Sequence, residues 1–175
     1  MMARIPLIDV ATSTETEEHI YKRFPSNLVR GLLRTTPEIA NGYLDLGKAL
    51  SGSPLLPKLR EMTILRVGVL THSPYEWMQH IDIAKLVHVG DKEVIAVKSG
   101  EYGKLTDQEA AMLQFVDEVV AKPKATDTFD LALANLGEQG LATVTLLVGH
   151  YMMTARFLET FNIDLDKNAT SWENA

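Results

Sequence analysis

Residues 57–72, PKLREMTILRVGVLTH, constrain the fold more than any other stretch of the chain. Pro57 can open a helix, because the N–H it lacks has no partner at that position anyway. Met62, Ile64, Leu65, Val67, Val69 and Leu70 then cover most sides. A helix that is apolar nearly all round is surrounded by protein. The β-branched residues keep a strand open as the alternative, but a run of more than ten residues favours helix. An enclosed helix needs other elements packed about it, and the rest of the chain reads as helices.

Ser26 to Leu33 reads as a short helix, and Pro37 starts another after Thr35 or Thr36 as a cap. Ile39, Tyr43, Leu46 and Leu50 recur at helical spacing and form its expected buried stripe. Ser73-Pro74 makes a turn, and a helix over residues 75–89 follows, ending near Gly90. Asp91 begins a short helix closed by Gly100. Thr106-Asp-Gln-Glu109 has the spacing of a capping box and opens a helix to about Ala121. Residues 126–137 and 141–161 complete the series. Along the last helix Leu146, Val148, Met152 and Met153 widen the apolar face beyond one monomer's needs, so subunit packing is expected. No strand alternation or βαβ rhythm occurs, and the expected class is all-α. Residues 1–25, polar at TSTETEE and punctuated by Pro6 and Pro25, read as an N-terminal arm. Residues 26–165 read as a single helical domain, and residues 166–175 as a C-terminal tail.

The chain has 175 residues with 17 Lys and Arg against 23 Asp and Glu. The resulting net charge of −6 argues against a nucleic-acid partner, which needs a basic footprint. It argues equally against a polybasic membrane contact. There is no cysteine, so thiolate metal sites, disulfides and sulfur nucleophiles are excluded. The segment 141–161 carries His150, Arg156 and Glu159 and makes a poor membrane span. No secretory signal is visible, and a soluble cytoplasmic protein is expected.

Chemistry concentrates around the enclosed helix and its successor. Glu61 lies inside an apolar run. Glu76 and His80 are four apart, with Trp77 and Met78 between them, so they share a helix face. A carboxylate beside an imidazole fixes its tautomer, and a second from Glu61 would make an acid/base cluster in a desolvated site. The plainer alternative for each is structural: a surface pair for Glu76 and His80, and an ion pair with Arg60 or Arg66 for Glu61. His72, His80 and His88 recur every eight residues, which rotates successive rings by about 80° and gives no common ligand face. His150 sits in an apolar helix, where a satisfied core histidine is as good a reading as a site residue.

The stretch LPKLREMTILRVGVLTHSPYEWMQHIDIA, followed by VGDKEVIAV, resembles the carboxymuconolactone decarboxylase family within the alkylhydroperoxidase D-like superfamily. The likeness runs from about Pro37 to Phe161 and is carried by Arg60-Glu61, Tyr75-Glu76-Trp77 and His80. It implies an all-helical bundle assembling into dimers, trimers or hexamers. In the peroxidase branch a buried Glu precedes a CxxCxxxH motif. Set on that motif, Ser73 and Glu76 take the cysteine positions, His80 the histidine and Glu61 the upstream glutamate. The proton-relay positions are kept and both sulfurs are absent, so thiol peroxidase chemistry is excluded.

The resemblance implies instead a cofactor-free acid/base enzyme, a decarboxylase or relative acting on a small carboxylated lactone or keto acid. His80 would move the proton, Glu76 orient it or share the proton, and Glu61 tune the pair. Arg66 is the candidate for the substrate carboxylate, and Tyr75, Trp77 and His150 for lining the pocket. Two alternatives stay open: a non-catalytic oligomer whose polar cluster ties helices together, and a metal-dependent enzyme using Glu61, Glu76 and His80 as ligands. The family's lactone decarboxylases are typically shorter than this chain.

Overall fold

The computed structural model describes residues 3–170 and 172. Among these described residues it is all-helical, with a short 3-10 turn at Val10–Thr12 and eight α-helices: α1 (Glu15–Arg23), α2 (Asn27–Leu32), α3 (Pro37–Ser51), α4 (Pro57–Leu70), α5 (Pro74–Leu86), α6 (Asp91–Ser99), α7 (Asp107–Ala121) and α8 (Phe129–Phe161). Gly137, at φ 69° and ψ 171°, interrupts α8 and joins two helical segments. The chain forms two compact units, one of residues 1–52 and 157–175, the other of residues 53–156. Residues 1, 2, 171 and 173–175 of the expected arm and tail lie outside the described residues.

In the first unit α1 packs against α2 and α3. α1 was not anticipated within the arm. Thr14 accepts from Glu17 N while the Glu17 carboxylate accepts from Thr14 N, a capping box that starts it. Ile20 is then buried. On α3 the inward residues are Ala40, Leu44 and Leu50, while Ile39 and Leu46 are exposed. The expected stripe is therefore corrected: only Leu50 of it is buried. Asp166 Oδ1 accepts from Asn27 N and holds the first turn of α2.

In the second unit α4 is the centre, packed against α5, α6 and α7. Leu59 and every residue from Glu61 to Gly68 are buried, as its composition requires. Met112, Leu113, Val116, Val144, Leu147 and Val148 supply much of the surrounding core. Lys58 ties this unit together at one end. Its Nζ donates to Glu93 at 2.8 Å and pairs with Glu109 at 2.7 Å. Each of those carboxylates also accepts a backbone N–H at the start of its own helix, from Gly90 and Thr106.

α4 and α5 both end with a histidine in the left-handed region, His72 at φ 55° and His88 at φ 67°. Ser73 N donates to Gly68 O and Val89 N to Ala84 O, closing both ends. By length and composition alone α8 is apolar enough to cross a membrane; Leu147, Val148, Ala155 and Leu158 of it are buried, whereas Leu146 and Met153 are exposed.

Candidate active site

Enclosure of α4 leaves Glu61 only 2% exposed, so its carboxylate must be paired to exist as an anion. The turn at Ser73-Pro74 returns the chain alongside α4 and brings His80 of α5 to it. His80 Nδ1 lies 2.8 Å from Glu61 Oε2. Arg60 Nε donates to the other oxygen, Oε1, at 3.0 Å. Successive helix residues point about 100° apart, so the Arg60 side chain folds back to make this contact. Burial pushes the Glu61 carboxyl up, but the charge and hydrogen bond of His80 and then of Arg60 outweigh it and hold Glu61 below its ordinary value. An ionised carboxylate only accepts, so Nδ1 is the donor and Nε2 is the nitrogen directed elsewhere.

α8 supplies the next layer. Tyr151 stands edge-on to the His80 ring at 5.1 Å between centroids, and His150 is edge-on to Tyr151 at 5.4 Å. His150 is buried, and burial first, with the nearby His80 second, pushes its pKa down to about 4. The two imidazoles thus differ: one faces a carboxylate, and the other is buried with its pKa held low.

Glu76 is buried on α5, one turn before His80. Its carboxylate is turned toward Gly68 of α4, where a Cβ would stand 3.6 Å from Oε2. The Nδ1 bond of His80 goes to Glu61, so the orienting role expected of Glu76 belongs to Glu61. Of the three residues, Glu61 and His80 are in contact, and Glu76 lies farther along the same helix pair. Among the described residues no three His, Asp or Glu side chains group as metal ligands, so the donor set of the metal-dependent alternative is not assembled.

Arg66 requires correction. Its Nε and Nη2 donate to the two oxygens of Asp117 at 2.6 and 3.1 Å, and Nη1 donates to Val97 O at 2.8 Å. Tyr102 completes this cluster by donating its hydroxyl to Asp117. The guanidinium ties α4 to α6 and α7 and does not serve the Glu61–His80 pair; Arg60 is the arginine that does. Tyr75 is buried at 3% exposure, and Trp77 lies under Lys98, whose Nζ is 4.5 Å from the ring centroid. Trp77 therefore engages α6. Arg60 reads from the sequence only as a structural partner and Tyr151 gives no sign of a site role, because side-chain wrapping and ring stacking leave no spacing signal.

No family model and no curated protein matches this chain. Solved structures do. An alkylhydroperoxidase AhpD core, an uncharacterized peroxidase-related protein from Ralstonia eutropha JMP134, superposes with TM-score 0.78 at 14% identity, over 95% of this chain and 94% of the other. The debrominase Bmp8, as a cysteine-to-alanine variant in complex with 2,3,4-tribromopyrrole, gives 0.69 at 15% identity over 87% and 82%. A protein of unknown function from Agrobacterium tumefaciens, described in relation to the antioxidant defence protein AhpD, gives 0.69 at 17% identity over 76% and 94%. The all-α fold of this chain is the alkylhydroperoxidase D-like fold.

Proposed function

We propose that the chain is a cofactor-free acid/base enzyme of the carboxymuconolactone decarboxylase type, acting on a small carboxylated lactone or keto acid. The observation that carries this reading is the part-buried His80 Nδ1–Glu61 contact with Arg60 on the far carboxylate oxygen. A carboxylate that holds Nδ1–H leaves Nε2 basic and correctly oriented. Nε2 takes a proton from the carbon beside the substrate carbonyl, and the C–H electron pair passes into the enolate. In decarboxylation the bond from carbon to carboxylate breaks instead, its electron pair passes into the enolate, carbon dioxide leaves, and Nε2 delivers to the carbon that bore the carboxylate a proton taken up beforehand from water. Either way Glu61 stabilises the charged imidazole while it carries that proton.

The substrate carboxylate needs a cation, and Arg60 beside the pair replaces Arg66 in that role. Self-association is part of the proposal: Leu146 and Met153 on α8 are 61% and 48% exposed, and a second copy would cover them.

Carbon dioxide release from a panel of carboxylated lactones and 3-keto acids tests the reading. Wild-type protein is expected to turn over at least one of them, with Glu61→Gln at least about a hundredfold slower. If the wild type releases none, and Glu61→Gln instead costs several kcal/mol of stability, the pair is a structural tie between helices and the enzyme reading fails.

A further inference from the structure

Beyond Gly137, α8 continues as regular helix, and one side of it stays uncovered. Glu138, Ala142, Leu146, Gly149, Met153 and Arg156 are all exposed. From Ala142 onward their steps are four, three, four and three residues, the spacing of a coiled-coil seam. At 1.5 Å per residue the row is about 27 Å long. Only 28% of the most apolar eighteen-residue stretch of α8 is buried, so a helix with the composition of a core element has a face left over.

Gly149 lies in the middle of that row. A Cβ there would meet nothing beyond its own helix within 4 Å, so packing inside the protomer does not call for glycine. Glycine inside a helix costs about 1 kcal/mol relative to alanine, and a close approach from outside is what would offset that cost.

The row complements itself when a second copy runs the opposite way. Setting Leu146 against Gly149 of the other copy also sets Met153 against Ala142, and Arg156 beside Glu138, all in one register. Each large side chain then meets a small one and each charge meets its opposite, and two-fold symmetry repeats every contact. A parallel pair would set Leu146 on Leu146, Glu138 on Glu138 and Arg156 on Arg156. A lipid surface fits less well, because the row has a carboxylate at one end, a lone cation at the other and a chain of net charge −6 behind it.

We propose that this face of α8 is a two-fold dimer interface, with two copies packed antiparallel, Leu146 on Gly149 and Arg156 beside Glu138. The proposal rests on the self-association stated with the proposed function, and it is independent of the chemistry at His80.

Sedimentation equilibrium of the full-length protein at low ionic strength tests it. Wild type is expected at an even multiple of the chain mass. Gly149→Leu places a side chain where Leu146 of the other copy lies, and should raise the dissociation constant at least about a hundredfold with helix content by circular dichroism kept. Adding Leu146→Ala exchanges large for small and should recover at least about tenfold of that loss. Glu138→Arg and Arg156→Glu should each weaken the dimer by about tenfold, and the variant carrying both should return close to wild type. An oligomer indifferent to Gly149→Leu overturns this interface and leaves self-association through another face standing. Charge reversals without effect overturn the antiparallel register. A monomeric wild type overturns both the interface and the self-association, and if that monomer co-sediments with vesicles of phosphatidylcholine and phosphatidylglycerol, the face is a lipid contact instead. Turnover bears on the acid/base reading alone, so the two claims fail separately.

Discussion

His80 Nδ1 and Glu61 Oε2 are 2.8 Å apart, although nineteen positions separate the two residues in the chain. The contact joins α4 to α5 and sets which imidazole nitrogen faces away. Groups acting as one unit are not additive when removed. Glu61→Gln and His80→Gln should each lower turnover by at least about a hundredfold, and the double variant should be no slower than the worse single one. Steady-state rates of the four proteins check this; additive losses would show two independent contributions.

His150 gives the fold a pH dependence of known sign. Its imidazole protonates near 6.5 when exposed and near 4 when buried in place. Between those values the unfolded chain binds the extra proton, so acid favours unfolding. The contribution is whole above 6.5, falls as pH drops toward 4 and then stays flat, amounting to roughly 3 kcal/mol at the outside. His150→Phe keeps a ring against Tyr151 and should flatten urea-derived stability across that window. Glu61, Glu93 and Glu109 are all held below the ordinary 4.5, so their pairing is lost only at lower pH and the two effects separate.

Arg66 and Arg60 should part company under mutation. Arg66→Met breaks the fork on Asp117 and the bond to Val97 O, and is expected to cost about 2–4 kcal/mol in chemical denaturation with the rate constant per folded molecule unchanged. Arg60→Met should lower kcat/KM by at least about tenfold with a smaller loss of stability. The reverse pattern would return the substrate carboxylate to Arg66.

Lys58 is the nearest cation to two buried glutamates, and Lys92 stands farther from Glu93 at 3.8 Å. Lys58→Met should destabilise by about 2–4 kcal/mol because both carboxylates lose their nearest cation. Adding Glu93→Gln and Glu109→Gln should recover most of this, since glutamine can still close a capping box. Thermal melts of the single and triple variants measure the difference.

Much of this was legible in the residues because helix punctuation and apolar periodicity are local. The all-α class, the enclosure of α4 and the break at Gly137 follow from Pro, Gly and apolar spacing. The capping-box spacing is clear at Thr106, where an apolar-periodic run follows, whereas few apolar residues follow it at Thr14, so α1 leaves little signal. On α3 two apolar rows compete, and only tertiary packing shows that Ala40 and Leu44 face inward while Ile39 and Leu46 do not. Glu61 and His80 were legible as candidates, since a carboxylate in an apolar run and an imidazole one hairpin away are both costly to bury alone. Which carboxylate meets the imidazole was not, because i,i+4 spacing favoured Glu76 and the register of α4 against α5 decided for Glu61. The same limit misled the choice of arginine: Arg60 reaches its sequence neighbour by folding its long side chain back, which helical geometry alone argues against.

Solvent deuterium uptake at the carbon beside the carbonyl of 4-oxopentanoate, followed by NMR in heavy water, bears most directly on the acid/base role of the Glu61–His80 pair. Wild-type protein should accelerate the exchange well above buffer, and His80→Gln should return it to the buffer rate with the fold intact. Exchange that proceeds equally in His80→Gln, or no acceleration by the wild type at all, would contradict the account.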